Sequence, residues 1–197
     1  MPSLRVSVDG TLVASVCTEG LDSLGVHVSG TRVDDELAAL YVAGGTYPEH
    51  GEPTYLIWVD STPIKANQEV TVTLVESEAN SHRGKTIEEL QAGSTPTPDM
   101  DFKPTAEMYK QLRETPRIRD RFRLQFASSI GASFIGQTGP DNHGFSLTVH
   151  WNSMRPERAR LSLHSYTLEA LETRGPMDNY VEARLRVGDS AQLRVDA

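Results

Sequence analysis

The residues best suited to chemistry in this chain are its six histidines: His27, His50, His82, His143, His150 and His164. An imidazole titrates near neutrality and can act as acid, base or metal ligand. Spacing narrows the choice. No two of the six stand four apart, as a zinc pair on one helix face requires, and no HExxH occurs. His27, His150 and His164 lie in runs that alternate apolar and polar residues. Their parity turns them away from Val26, Val28, Val149 and Leu163, toward the polar side. If their strands pair, His150 and His164 form a cross-strand cluster.

Other arrangements carry less. Glu49-His50-Gly51-Glu52 offers ligands, yet reads as a solvated turn. Gly84-Lys85-Thr86 ends like a phosphate loop, but Ala79 stands where such a loop needs its first glycine. Ser81-His82 and His164-Ser165 are pairs without a third member. Gly131 to Gly136 encloses Ser133 but makes no Gly-x-Ser-x-Gly elbow. Carboxylates are plentiful, and none stands out as a glycosidic pair. The reading therefore assigns no catalytic residue, no cofactor and no metal ligand.

Aromatic residues point instead to binding. Trp58 sits in the apolar run Tyr55–Val59, and Trp151 extends the face of Phe145, Leu147 and Val149. Tyr47, Tyr55, Tyr166 and Tyr180 fall near loops or strand starts. Because Trp and Tyr dominate binding hot spots, Trp58, Tyr47, Trp151 and Tyr166 are the candidate partner-binding residues, weighed against ordinary core and rim packing. Arg117, Arg119, Arg121 and Arg123 alternate, and along a strand they would form one positive stripe, able to neutralise the acidic first half or to bind an anionic partner, with intramolecular pairing the favoured use.

Composition bounds the function classes. The net charge is −8 over 197 residues. That argues against general nucleic-acid binding, which needs an excess of Lys and Arg, and against docking on anionic lipid. It suits a basic protein partner reached by electrostatic steering. The single cysteine, Cys17, excludes an intramolecular disulfide and a thiolate metal cluster, and is expected to be buried and inert. The N-terminus shows no signal-peptide pattern, and no apolar run reaches the ~18 residues of a membrane span. The expectation is a soluble cytoplasmic protein with no membrane association.

These residues must be held by strands. Leu4, Val6 and Val8 alternate, turn at Asp9-Gly10, and return as Leu12, Ala14 and Val16, which reads as a hairpin. Leu24–Val28, Leu37–Val42, Tyr55–Val59 and Val70–Leu74 add further strands. Tyr55–Val59 is apolar in succession, which predicts a central or interface strand. The pattern then recurs. Phe122, Leu124 and Phe126 match Leu4, Val6 and Val8, and Ile130, Ala132 and Phe134 match Leu12, Ala14 and Val16. Gly144 before Phe145 and Leu147 matches Gly25 before Val26 and Val28. Leu161 and Leu163 match Leu40 and Val42. Leu185, Ala191, Leu193 and Val195 match Ile64, Val70, Val72 and Leu74. The reading is an internal duplication.

Between the copies alternation stops. Thr86 and Glu89 have capping-box spacing, with Gly93 as a stop. Pro96 and Pro98 favour extended backbone. Thr105 caps a helix whose Met108, Tyr109 and Leu112 should dock on a β half, and Pro116 ends it. A further short helix is expected from Thr167 to Gly175-Pro176, inserted in the second copy.

The sequence therefore predicts an all-β protein: two similar antiparallel units, 1–76 and 122–197, each a sandwich or open barrel, joined by a partly helical connector over 77–121. The expected function is a non-enzymatic acidic binding protein, of the kind that acts as an inhibitor or immunity partner of another protein. The alternatives are a small hydrolase or carbohydrate-binding module with a groove between the units, and a self-assembling structural subunit with exposed edge strands.

Overall fold

The computed structural model describes residues 1–91 and 104–197. In the first unit β1 (Ser3–Val8) and β2 (Thr11–Cys17) form the expected hairpin, followed by β3 (Ser23–Thr31), β4 (Ala38–Thr46), β5 (Thr54–Ile64) and β6 (Glu69–Val75). The connector holds α1 (Ile87–Leu90) and α2 (Ala106–Glu114). The second unit supplies β7 (Arg123–Ser128), β8 (Ser133–Gln137), β9 (Gly144–Asn152), β10 (Arg158–Tyr166), α3 (Leu168–Thr173), β11 (Asp178–Arg186) and β12 (Ser190–Asp196).

The twelve strands make two antiparallel six-stranded sheets that do not close into a barrel. Sheet A runs β2-β1-β6-β12-β7-β8, and sheet B runs β11-β10-β9-β3-β4-β5. Each order is a palindrome of the two units. Each unit gives three strands to each sheet, and the halves join by pairing β6 with β12 and β3 with β9. Inward-facing residues of both units form one continuous buried cluster, from Leu4 and Val72 to Leu161 and Val195.

Local chemistry explains the turns. Asp9 and Gly10 both take positive φ, 50° and 76°, as a two-residue hairpin turn of matching twist requires. Thr86, Thr105 and Thr167 each accept a backbone N–H in the first turn of their helices, and Glu89 completes the capping box of α1. Gly93 and the Ser94–Pro98 turn lie outside the described residues. At the end of α3 the left-handed residue is Arg174, at φ 54°, one place before the expected glycine.

Register corrects several alignments. Leu74 pairs with Leu4, and Val195 pairs with Leu124. If Leu74 matches Val195, Leu4 therefore matches Leu124, two residues beyond Phe122. Likewise Leu40 pairs with Val28 and Leu161 with Val149, so Val28 matches Val149 and not Leu147. Shifts of two keep every side chain on its face, which is why alternation alone could not detect them. A bulge between Val6 and Ser7 turns Leu12 outward, leaving it 52% exposed.

The apolar strand β5 is at the edge of sheet B, not its centre. Its second apolar side is covered by the connector. Ile57 and Lys85 exchange two backbone hydrogen bonds of 2.8 Å, and α1 rests on the same strand. The helix α2 packs on α3, an element of the second unit, with Met108, Tyr109 and Leu112 half-buried and an Arg113–Glu172 ion pair between the helices. The arginine stripe does not form, because 117–122 is irregular. Arg119 instead donates to the carbonyls of Thr31 and Asp35 at 2.6 and 3.1 Å. Cys17 is half-buried, not buried.

Candidate functional site

Sheet B presents its polar side outward as one surface. Three cross-strand rows cross its centre. The middle row is Tyr41, His27, Thr148, Ser162 and Glu182. One flanking row holds Ala43, Gly25, His150, Arg160 and Arg184, and the other Ala39, Ser29, Ser146, His164 and Asn179. Residues on β3 and β9 are mostly small, and the long ones are Tyr41 on β4 and Arg160, His164, Glu182 and Arg184 on β10 and β11. The hollows of this face lie on its second-unit side, over β9, β10 and β11. Two adjoin here, of about 620 and 480 Å³, sharing Arg160 and Glu182. The smaller is lined by Thr148, His150, Ser162, His164 and Asn179, with Gly175 and Met177 behind α3 at its margin.

The expected His150–His164 cluster exists in this sense. Their strands pair, both rings face outward and both line one hollow, although each is directly opposite another residue: Arg160 for His150 and Ser146 for His164. His27 lies beside them. Its ring extends over Gly25, where a Cβ would meet Nε2 at 2.8 Å. Nδ1 of His27 and the Thr148 hydroxyl are 3.2 Å apart, and that hydroxyl lies 3.4 Å from Ser146 Oγ. Burial holds His27, His150 and His164 below the ordinary imidazole value of 6.5, with His150 further lowering His27 and Arg160 further lowering His150. At neutral pH these rings are uncharged and offer one donor and one acceptor each. Arg160 and Glu182 pair at 2.8 Å across the rim. On the first-unit side the Tyr41 and Tyr55 hydroxyls meet at 3.2 Å. Burial, then the bond to Tyr55, holds the Tyr41 phenol well above its usual value.

The four candidate aromatics separate. Trp151 is fully buried and donates from Nε1 to the Pro156 carbonyl at 3.0 Å. Trp58 is 8% exposed and belongs to the core cluster. Both therefore serve packing, and neither presents its ring to a partner. Tyr47 is 56% exposed in the β4–β5 loop, where Asp22 accepts its backbone N–H at 2.6 Å. Tyr166 is half-buried, its ring 6.4 Å from His143 and 6.5 Å from His164. It links the hollow to the end of the sandwich. The small residues Thr148, Ser146, Ser162 and Gly25 escaped sequence reasoning. Their signal was a set of small residues at outward positions of three strands, visible only once β3, β9 and β10 are known to be neighbours.

Ser81 and His82 do acquire a third member. Ser81 Oγ is 2.9 Å from His82 Nδ1, and His82 Nε2 is 2.8 Å from the Trp58 carbonyl. Ser81 Oγ also accepts the Ser15 N–H at 3.0 Å. The chain thus runs from β2 to β5 and fastens the two sheets across their seam.

Charge is divided unevenly. Residues 1–76 hold eleven acidic side chains against three basic ones, and the rest of the chain is balanced at sixteen and sixteen. Of the three, Arg32 is buried and Arg5 pairs with Glu78. The whole net charge therefore belongs to the first unit. Among the described residues, no cluster of His, Cys, Asp and Glu has the geometry to hold a metal, and no helix is long and apolar enough to cross a membrane. No protein-family model matches the chain, and no curated protein or solved structure matches it.

Proposed function

We propose that this chain is a non-enzymatic binding protein that receives a basic protein partner on the outer face of sheet B. The observation that carries the reading is a hydrogen-bonding hollow on that face in a chain whose net negative charge lies wholly in residues 1–76. Neutral imidazoles, hydroxyls and a tyrosine pair supply directional contacts, and the acidic first unit supplies attraction at a distance. Arg160 and Glu182 at the rim add polar anchors. An inhibitor or immunity-type role in the cytoplasm is the form of this function that the charge supports, since a basic target is neutralised by an acidic cover.

Affinity capture of the tagged full chain from lysate of its source organism, followed by intact mass and salt titration, tests the reading. A stoichiometric basic partner, released as ionic strength rises, is expected. Capture of no partner, or of one whose binding ignores salt, would count against it.

A carbohydrate-binding reading draws on the same hollow, because Thr148, Ser162 and Asn179 beside neutral His150 and His164 also suit sugar hydroxyls. A glycan that displaces the protein partner would favour it.

A further inference from the structure

We propose that β8 pairs with β8 of a second copy of this chain, in antiparallel register about Ile135. This goes beyond the partner-binding reading and uses a different surface. The two units supply the argument, because each contains the same pair of edge strands. In the first unit the connector covers both. Ser81 N donates to the Ser15 carbonyl at 2.9 Å, Cys17 N donates to Asn80 Oδ1 at 2.7 Å, and Lys85 bridges Ile57. The corresponding strands of the second unit are β8 and β11. Among the described residues, nothing pairs with their outer edges.

The two open edges differ in chemistry. Strand β11 carries Asp178, Glu182, Arg184 and Arg186, the charges by which soluble proteins guard an edge. Strand β8 reads Ser133-Phe134-Ile135-Gly136-Gln137, with no charge and no proline, and Ile135 is 83% exposed. Hydrogen bonds from Ser128 N to the Ala132 carbonyl and from Thr138 N to the Phe122 carbonyl, both 2.9 Å, place the even-numbered residues toward β7. By ladder alternation the backbone groups of Ser133, Ile135 and Gln137 then face the open edge.

Charge and symmetry select the occupant. Two copies repel through their first units, which hold the entire net charge, and approach without that cost through their balanced second units. The strand is also self-complementary. A two-fold axis at Ile135 sets Ser133 opposite Gln137, Phe134 opposite Gly136, and each Ile135 opposite its copy. Such an interface is isologous and closes as a dimer, extending sheet A across both chains.

Sedimentation equilibrium of the full chain tests this. A reversible dimer is expected, and Ile135→Lys should weaken it at least about tenfold while leaving unchanged the melting temperature read at concentrations where both chains are monomeric. Cross-linking tests the register without depending on that variant. In a Cys17→Ser background, Ile135→Cys places two Cα atoms about 5.5 Å apart, within disulfide reach, and should oxidise to a covalent dimer. Gln137→Cys should do so only when mixed with Ser133→Cys. A chain that stays monomeric at all concentrations would overturn the proposal, as would a dimer that tolerates Ile135→Lys and fails to cross-link at position 135.

Discussion

Asp9 and Ser129 hold the same place in the two units. Asp9 donates its backbone N–H to the Glu69 carbonyl at 2.9 Å, and its Oδ1 accepts the Glu69 N–H at 2.9 Å. Ser129 donates to the Ser190 carbonyl at 3.0 Å, and its Oγ accepts the Ser190 N–H at 2.9 Å. Different side chains, Asp and Ser, thus make one reciprocal clasp between the first hairpin and the last strand of each unit. With the palindromic strand orders, the clasp ties the duplication to hydrogen bonding rather than to alternation, which any pair of β-meanders would share.

Removing either clasp should lower stability, the first unit's more than the second's. Ser129→Ala is expected to lower stability by about 1 kcal/mol. Asp9→Ala should cost about 1 kcal/mol more, because Asp9 sits at φ 50°, where Asp is tolerated better than Ala. Urea denaturation of both variants checks the order.

Arg32 should bind the two units into one cooperative transition. This first-unit residue is 1% exposed and donates to the Pro140 and Gly139 carbonyls of the second unit at 2.7 and 3.0 Å. Its own backbone bonds to His143 and Ile118. Arg32→Ala removes charge-assisted bonds and leaves a cavity, an expected loss of about 2–4 kcal/mol. Arg32→Met keeps the volume and should lose less. Calorimetry should show a single transition that moves as a whole; two separate transitions would mean the units melt independently.

The seam between β2 and β5 should be sensitive at Gly84. A Cβ there would lie 2.9 Å from Trp58 Cε2 and 3.0 Å from Leu56 Cβ, and the buried indole has little room to yield. Gly84→Ala is expected to cost about 1–3 kcal/mol by overpacking. It should also hasten proteolysis within 77–91, which limited trypsin digestion would reveal.

Much of this was legible in the sequence, and the reason is local. Period-2 alternation set the faces, Asp9-Gly10 set a turn, and three threonines set the helix starts, since each signal is complete within a few residues. Pairing between distant strands has no such local mark. That β3 adjoins β9, which assembles His27, Thr148 and His150, depends on contacts more than a hundred residues apart. The apolar run of β5 reports that both faces are covered, and it could not say that the cover is the connector. Trp151 followed its parity into the core. The arginines at 117, 119 and 121 alternate without a strand, so their alternation has no face.

Acid should weaken the fold before its carboxylates titrate. His27, His143, His150 and His164 are all held below 6.5 by burial, so the unfolded chain binds more protons than the folded one as pH falls through 6.5. Stability is therefore full above that value and declines below it, until the folded-state rings titrate in turn. The melting temperature should fall between pH 7.5 and 5.5, about the span over which free histidines charge. His27→Gln, which removes the ring facing His150 and Thr148, should flatten that fall. An unchanged slope would show that the rings on this face do not set it.

The central claim is that the outer face of sheet B receives the partner. Its most direct test is quantitative capture by the Thr148→Arg/Ser162→Arg variant, with a Thr71→Arg/Gln192→Arg variant of the outer face of sheet A as the control. The account predicts that the partner held by the wild-type chain is lost from the first variant and kept by the second, with both folded. Equal capture by all three, or loss from the sheet A variant alone, would contradict it.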